Sequence, residues 1–280
     1  MKDRIMTTIS LSSSPVTNNM LNRPPILLTG GWEEVIAGAV AAGADALEIR
    51  LRETDDEDWD VFKKQFSDAG LVIAGISTGR MFKEGGHCLT ALDRSGRRAC
   101  TDALKAYVDI AKALDTDLLL GTAKGQQQTN ETYADYAERM ADTLKDADNY
   151  AREMGVKMHL ECINYYEINA MNTAQQTLDF IHEYDLNATY VQLDTFHMNI
   201  DEVDLAESVR ICGDKLGYIQ FADSNRWYPG AGHIDFVPIL DALDEIGYAG
   251  IYGVECQPLP DSATACQKSV AFLREALARR

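Results

Sequence analysis

Short apolar runs rich in β-branched residues alternate with longer amphipathic segments along the whole sequence. This alternation is typical of repeated βα units and of a parallel sheet. It predicts eight strands, at residues 5–12, 46–51, 71–77, 117–123, 156–163, 189–196, 217–223 and 250–256. Residues 24–30, just after the first of these, form either a loop or a competing strand.

Helical patterns are predicted at residues 33–42, 58–69, 97–114, 131–154 and 262–279. In the fourth, Tyr133, Tyr136, Met140 and Leu144 fall on one helical face and predict an apolar stripe. Eight strands close a parallel barrel. An open, doubly wound sheet would need a G-x-G-x-x-G sequence after a strand, and no predicted strand is followed by one. We therefore expect an α/β fold, a single (β/α)8 TIM barrel that forms one domain over residues 1–280.

The chain is acidic, since 44 Asp and Glu residues against 26 Lys and Arg residues give a net charge of -18. Proteins that bind nucleic acid need clustered basic residues, so we expect no nucleic-acid partner. The sequence has no apolar run that approaches the roughly 18 residues of a membrane span and no signal-peptide pattern, so we expect no membrane partner. Six cysteines without a C-x-x-C pair are typical of reduced thiols and indicate a cytoplasmic protein.

Oxygen-bearing side chains stand near the ends of the last four predicted strands. They are Glu161, Asp194, Gln220 and Glu255. In barrel enzymes the active site lies at the C-terminal ends of the strands, where these four side chains would meet. Their mutual repulsion and desolvation would cost several kcal/mol without a counter-charge, so we expect all four to bind one divalent metal ion.

Hard oxygen ligands without a thiolate favour Mn²⁺, with Mg²⁺ or Co²⁺ as alternatives, over structural Zn²⁺. Such an ion can hold two adjacent oxygens of an α-hydroxy ketone and stabilise the enediolate formed when a neighbouring C–H is lost. Glu161 and Glu255 belong to strands on opposite sides of the ring. They are therefore candidates for the acid/base pair that takes the proton from one face and returns it to the other.

Further polar residues fall at the same rim of the barrel. Glu167, His197 and Arg226 follow the fifth, sixth and seventh predicted strands and are candidates for substrate binding, because function concentrates at this face. Glu48, in the second strand, is a further rim candidate. His87 and Lys124 are expected to be solvated loop residues. Side chains alternate along a strand, so Cys162 and Cys256 should face the outer helices as packing residues.

These motifs resemble the sugar phosphate isomerase/epimerase family of xylose isomerase-like TIM barrels, and most closely the ketose 3-epimerases. The similar elements are E-x-x-N-x-x-E at residues 161–167, D-x-x-H at 194–197 and N-R-x-x-P-G-x-G at 225–232. The resemblance implies that Glu161, Asp194 and Glu255 are metal ligands and that Glu161 and Glu255 also transfer protons. It implies that Glu167, His197 and Arg226 hold the oxygens of a small-molecule sugar, and that the chain is a homodimer or homotetramer.

Gln220 departs from the family pattern, which usually has a histidine ligand at this position. An amide oxygen can still coordinate, so we keep Gln220 in the predicted ligand set, with the metal identity and the substrate open. A keto-sugar acid or a keto-inositol is as compatible with the sequence as a free ketohexose.

The resulting prediction is a divalent-metal-dependent epimerase or isomerase of a ketose or keto-sugar derivative. A dehydratase of a keto-inositol and an aldose–ketose isomerase could use the same residues. A non-catalytic sugar-binding barrel is a third alternative, to which only the Gln220 departure points. A DNA-repair nuclease of this fold would need three zinc ions, and the five histidines and the negative charge argue against it.

Overall fold

Parallel strands form one continuous sheet in a computed structural model of the chain, which describes residues 7–15, 25–55 and 57–280. The strands are β1 (Ile9–Ser14), β2 (Leu28–Thr29), β3 (Ala46–Ile49), β4 (Val72–Ser77), β5 (Leu118–Leu120), β6 (Met158–Glu161), β7 (Thr189–Asp194), β8 (Leu216–Phe221) and β9 (Tyr252–Val254). From β3 to β9 each strand pairs with the next one along the chain.

The sheet closes because β1 pairs with both β3 and β9. Eight strands therefore form the barrel, as predicted from the sequence. The predicted first strand agrees with β1 over residues 9–12, and its residues 5 and 6 lie outside the described residues. For residues 24–30 the sequence left a loop or a strand open. In their described part, 25–30, the structure has the two-residue strand β2, which pairs with the end of β1 and extends the sheet beyond the barrel.

Helices lie between the strands, as the alternating pattern predicts. They are α1 (Trp32–Ala42), α2 (Trp59–Asp68), α3 (Gly79–Lys83), α4 (Arg94–Leu114), α5 (Tyr133–Met154), α6 (Ala174–Glu183), α7 (Thr195–Asp201), α8 (Leu205–Cys212), α9 (Phe236–Glu245) and α10 (Ser262–Ala278). Side-chain caps fix several of their starts: Thr132 accepts from the backbone N–H of Asp135 at α5, and Asp261 accepts from that of Thr264 at α10. Gly155 ends α5 with φ 73°, a left-handed conformation that favours glycine.

The apolar stripe predicted for α5 faces the core over most of its length. Tyr136, Met140 and Leu144 are fully buried, but Tyr133, in the first turn of the helix, is 40% exposed. Periodicity along α5 therefore predicts which face is apolar but not that its first turn is covered. No helix in the described part of the chain is both long enough and apolar enough to cross a bilayer.

The two cysteines expected in the helix layer are there. Cys162 lies 3.1 Å from the hydroxyl of Thr177 on α6, and Cys256 lies 4.0 Å from that of Ser269 on α10. Burial raises the pKa of each thiol to about 12. All six cysteines are free. These thiols are therefore packing residues, and the neighbouring Glu161 and Glu255 face the opposite side of their strands.

Candidate active site

The C-terminal ends of β6 to β9 bring the predicted carboxylates to one end of the barrel. Glu161 and Asp194 are the last residues of β6 and β7, and Glu255 directly follows β9. All three are buried, and the charges of Glu255 and Asp194 lie close enough to raise the pKa of Glu161. The sequence-based expectation that these strand ends converge is confirmed.

The guanidinium of Arg226 bridges two of these carboxylates. Its Nη1 donates to Oδ2 of Asp194 at 2.6 Å, and its Nη2 donates to Oε2 of Glu255 at 2.5 Å. Arg226 also lies over the ring of Phe196, with 4.8 Å between the guanidinium carbon and the ring centroid. Arg226 adopts a positive φ of 63° in the loop after β8, a conformation uncommon outside glycine that is retained where the surroundings determine it.

A second arginine, which the sequence analysis did not single out, completes the pairing of Glu255. Arg50 directly follows β3, and its Nη2 donates to Oε1 of Glu255 at 2.6 Å. Both oxygens of Glu255 are thus held by guanidinium groups. The available signal was strand alternation, because Arg50 stands two residues after the rim candidate Glu48 and so faces the same side.

Glu161 differs from Glu255 because one of its oxygens is free. Its Oε1 is buried and has no hydrogen-bond partner among the described residues. Burial, reinforced by the charges of Glu255 and Asp194, raises the pKa of Glu161 well above its usual value. Burial also raises the pKa of Asp194, to about 6, against the opposing effect of Arg226. Glu161 therefore has an oxygen that no other group occupies and a raised basicity, both of which suit proton transfer.

His197 stands next to Glu161, with 3.6 Å between its Nε2 and Oε1 of Glu161. The amide oxygen of Asn164 accepts from the backbone N–H of Tyr166, which directs the Asn164 amide nitrogen toward Nδ1 of His197 at 2.6 Å. Nδ1 then accepts, and Nε2 carries the hydrogen of a neutral ring. Burial lowers the pKa of His197, which keeps the ring neutral. His197 can therefore donate to an oxygen in the cavity.

Gln220 has partners inside the barrel. Its amide nitrogen donates to Oε2 of Glu48 at 2.7 Å, and its amide oxygen accepts from Gln192 at 3.0 Å. Burial, followed by the charge of Glu255, raises the pKa of Glu48 to about 8. Glu48 is thus an interior residue and does not line the cavity described below. As a metal ligand, Gln220 would have to use the second lone pair of an oxygen already in a hydrogen bond, so that role stays a prediction.

Lys124 contradicts the expectation of a solvated loop residue. It is fully buried, and its Nζ donates to the backbone oxygens of Glu161 at 2.6 Å and Met171 at 2.8 Å. Burial lowers the pKa of Lys124 to about 8. The error arose because sequence spacing cannot show that this loop folds back against the end of β6. The other residue expected to be solvated, His87, is partly buried beside Glu53.

A cavity of about 390 Å³ opens at this end of the barrel. Its walls include all the predicted substrate-binding residues, Glu167, His197 and Arg226, together with Glu161 and Glu255. Glu167 is exposed, and its carboxylate lies 3.3 Å from the amide nitrogen of Asn164. The cavity is large enough for a small sugar, and its polar groups converge at one end.

The donor set fits a divalent cation. Glu161, Asp194 and His197 each place one potential ligand atom within 4.8 Å of the others. The partnerless Oε1 of Glu161 is a buried anionic oxygen that a cation would satisfy. Because Nε2 of His197 carries a hydrogen, the carboxylate oxygens are the ligand atoms, and these suit Mn²⁺ or Mg²⁺ better than a thiolate-seeking ion.

Comparison with known proteins identifies the family of this fold. Residues 36–276 match the xylose isomerase-like TIM barrel family. L-ribulose 3-epimerase from Mesorhizobium japonicum is 32% identical over 220 residues, which are 78% of this chain and 72% of the relative. A second L-ribulose 3-epimerase, from Methylomonas sp., is 33% identical over 226 residues, which are 79% of this chain and 76% of the relative.

The structure of D-allulose 3-epimerase from Methylomonas sp. in complex with D-allulose superposes with a TM-score of 0.79 at 25% identity, over 96% of this chain and 97% of that one. The family match spans most of the chain, and the solved structure superposes on 96% of it. The chain therefore belongs to the xylose isomerase-like TIM barrel family, and it is an isomerase-class enzyme related to the sugar epimerases of that family.

Proposed function

We propose that this enzyme epimerises a ketose or keto-sugar derivative by moving a proton at the carbon next to the carbonyl. The observation that carries the proposal is the free, buried oxygen of Glu161 facing a cavity that Glu255 also lines. The relatives with the same fold are named as ketose 3-epimerases, which supports a ketone-bearing sugar as substrate.

A divalent ion would be held by Glu161, Asp194 and Glu255, with Gln220 as a possible fourth ligand and Mn²⁺ as the expected metal. When bound, such an ion polarises the oxygens of an α-hydroxy ketone and so acidifies the neighbouring C–H. The fit rests on the oxygen-rich donor set and on the partnerless Oε1 of Glu161. His197 is placed with the substrate, because the tautomer set by Asn164 makes its Nε2 a donor.

The chain's own residues divide the remaining tasks. Glu161 accepts the proton, because its raised pKa makes its carboxylate a stronger base than a solvated glutamate. His197 donates to a sugar oxygen from the same side of the cavity. Arg226 fixes the orientation of Asp194 and Glu255, and its charge stabilises negative charge that develops on the substrate. To return a proton on the opposite face, Glu255 must enter the cycle protonated, and both carboxyl groups exchange protons with solvent before the next turnover.

Aldose–ketose isomerisation is the second candidate, and the pairing of Glu255 favours it. Both oxygens of Glu255 are held by guanidinium groups, whereas Glu161 keeps a free oxygen. A single base can remove a proton from one carbon and deliver it to the neighbouring carbon on the same face, which interconverts a ketose and an aldose. Two bases on opposite faces are required to invert a centre.

One experiment separates these reactions. The metal-loaded protein is incubated with a panel of ketoses in D₂O, and the products are identified by NMR. Deuterium at an inverted carbon supports the epimerase, and an aldose product supports the isomerase. A dehydrated diketone would identify a dehydratase. The absence of both turnover and metal binding would indicate a non-catalytic sugar-binding barrel.

A further inference from the structure

Two cations from one side of the barrel line the cavity together with the proton-transfer residues. Arg50 follows β3, and Lys83 is the last residue of α3, the short helix after β4. In the closed strand order, β3 lies three strands and β4 two strands away from β6, which carries Glu161. The wall of the sugar-binding cavity thus contains two basic residues as well as Glu161, in a chain whose net charge is -18.

The guanidinium of Arg50 keeps an N–H donor without a partner among the described residues. Its Nη2 binds Glu255, while its Nε is buried and has no hydrogen-bond partner among the described residues. Leaving such a buried donor without a partner is unfavourable, and more so when the group is charged. A guanidinium carries five N–H donors in a fork whose geometry matches a carboxylate. An oxygen acceptor that enters the cavity would satisfy this group.

Lys83 brings a charge that no acidic side chain balances. Its neighbour Arg80 forms an ion pair with Glu84 at 2.8 Å, but within residues 25–55 and 57–280 no carboxylate is paired with Lys83. The Lys83 side chain is exposed at the cavity edge. Its ammonium group is free to follow a bound ligand.

We propose that the natural substrate is a keto-sugar acid, whose carboxylate binds Arg50 and Lys83 while its ketone end faces Glu161. This inference rests on the proposed function and names the substrate class of that site. Glu255 already balances the charge of Arg50, so Lys83 supplies one net positive charge at this edge. A singly charged carboxylate matches it, whereas a doubly charged phosphate would add repulsion beside Glu255.

The test compares each ketohexose in a panel with the same sugar oxidised to a carboxylate at its terminal carbon and with its terminal phosphate ester. Deuterium incorporation from D₂O reports turnover. We expect kcat/KM for the acid to exceed that for the parent ketose by about tenfold or more, which is the discrimination expected when a site's charged donors lack their partner. Equal or better use of the parent ketose, or a preference for the phosphate ester, would overturn the proposal.

Two substitutions test whether the carboxylate of the substrate binds Arg50 and Lys83. Lys83→Gln and Arg50→Gln should each lower the acid-to-ketose ratio of kcat/KM by about tenfold, mainly through KM for the acid. Lys64→Gln, which removes an exposed lysine paired with Asp68 on α2, is the matched control and should leave the ratio unchanged. Equal losses for acid and ketose in both variants would show that these cations only support Glu255. Since Lys83 is exposed, its variant remains informative even where Arg50→Gln fails to fold.

Binding measurements separate this inference from the proposed function. Calorimetric titration of the Glu161→Gln protein with the keto-sugar acids and with the parent ketoses requires no turnover. Tighter binding of the acids that is lost in Lys83→Gln supports the carboxylate site, even where the wild-type enzyme converts none of these compounds. Equal affinities for acids and ketoses would refute the site, even where the wild-type enzyme epimerises the ketoses.

Discussion

The ammonium group of Lys124 donates a hydrogen bond of 2.6 Å to the backbone oxygen of Glu161. A second bond from the same group reaches Met171, in the segment between β6 and α6. Lys124 therefore ties the end of β6 to the loop that follows it, directly behind the residue that we assign as the base.

Lys124→Met should destabilise the protein and misplace Glu161. The two buried backbone oxygens lose their donor, and unsatisfied buried groups of this kind cost about 1–3 kcal/mol each, partly offset because a buried charge is also removed. We expect a lower midpoint of thermal unfolding and a lower kcat. Lys145→Met, on the exposed face of α5, serves as the control. Unchanged stability and unchanged kcat in Lys124→Met would contradict this role.

Glu161→Gln and Glu255→Gln should each reduce kcat by about a hundredfold or more, the usual contribution of a positioned acid or base. Each amide keeps the shape of the side chain but cannot accept a proton. Circular dichroism should show an intact fold, and Glu183→Gln, at the exposed end of α6, should retain full activity. Near-normal turnover in one of the two variants would remove that residue from the proton-transfer pair.

The affinity for Mn²⁺ should depend on the carboxylates and on the residue at position 220. Asp194→Asn should lower the affinity for Mn²⁺ by about tenfold or more, since it replaces an anionic ligand with a neutral one. Gln220→His should raise the affinity and could change the preferred metal, because imidazole is a stronger ligand than an amide oxygen. Isothermal titration with Mn²⁺ measures both. Unchanged affinity in Gln220→His would show that this position is outside the ligand set.

His197→Asn should raise KM for the sugar more than it lowers metal affinity. The neutral ring donates through Nε2, which suits a substrate oxygen rather than a cation. His182→Asn, on the exposed surface of α6, is the control. A large loss of bound Mn²⁺ in His197→Asn, measured by elemental analysis, would instead make His197 a ligand.

Asp223 should make stability depend on pH through the loop that carries Arg226. Its carboxylate accepts from the backbone N–H groups of Ser224, Gly230 and Ile234 at 2.7, 2.8 and 3.1 Å. Burial by itself would raise the pKa of Asp223, but these backbone donors outweigh it, and the pKa is lowered. The stabilisation is complete above the unfolded-state pKa of about 3.9 and is lost as the pH falls through the lower folded-state pKa.

Asp223→Asn removes that dependence. We expect the free energy of unfolding at pH 7 to fall by about 1–3 kcal/mol, with a smaller further loss on acidification than in the wild type. Denaturant titrations at pH 7 and in acid measure both values, with the exposed Asp214→Asn as the control. An identical acid dependence in Asp223→Asn and the wild type would refute this account.

The sequence predicted the barrel and the carboxylate positions because both depend on local periodicity. Once β6, β7 and β9 were placed, parallel pairing brought Glu161, Asp194 and Glu255 to one end of the barrel without further information. The predicted ends of the elements were less accurate: the strand predicted at residues 189–196 stops at Asp194, and α7 begins at Thr195.

Arg50 and Lys124 could not be assigned in this way, because their partners lie far away in the sequence. Arg50 meets Glu255 across 205 positions, and Lys124 meets Glu161 across 37. No rule based on sequence spacing predicts a contact between two side chains that belong to different βα units. The hydrogen bond between Gln220 and Glu48 could not be predicted from the sequence either, since Glu48 lies across the barrel interior.

The pairing of β1 with β9 has a consequence for how the enzyme is made. Until the ribosome has delivered β9, the nascent sheet has two open edges, which are liable to pair with other chains. Glu255 directly follows β9, the strand that closes the barrel. A chain that stops before β9 therefore lacks both Glu255 and a closed barrel.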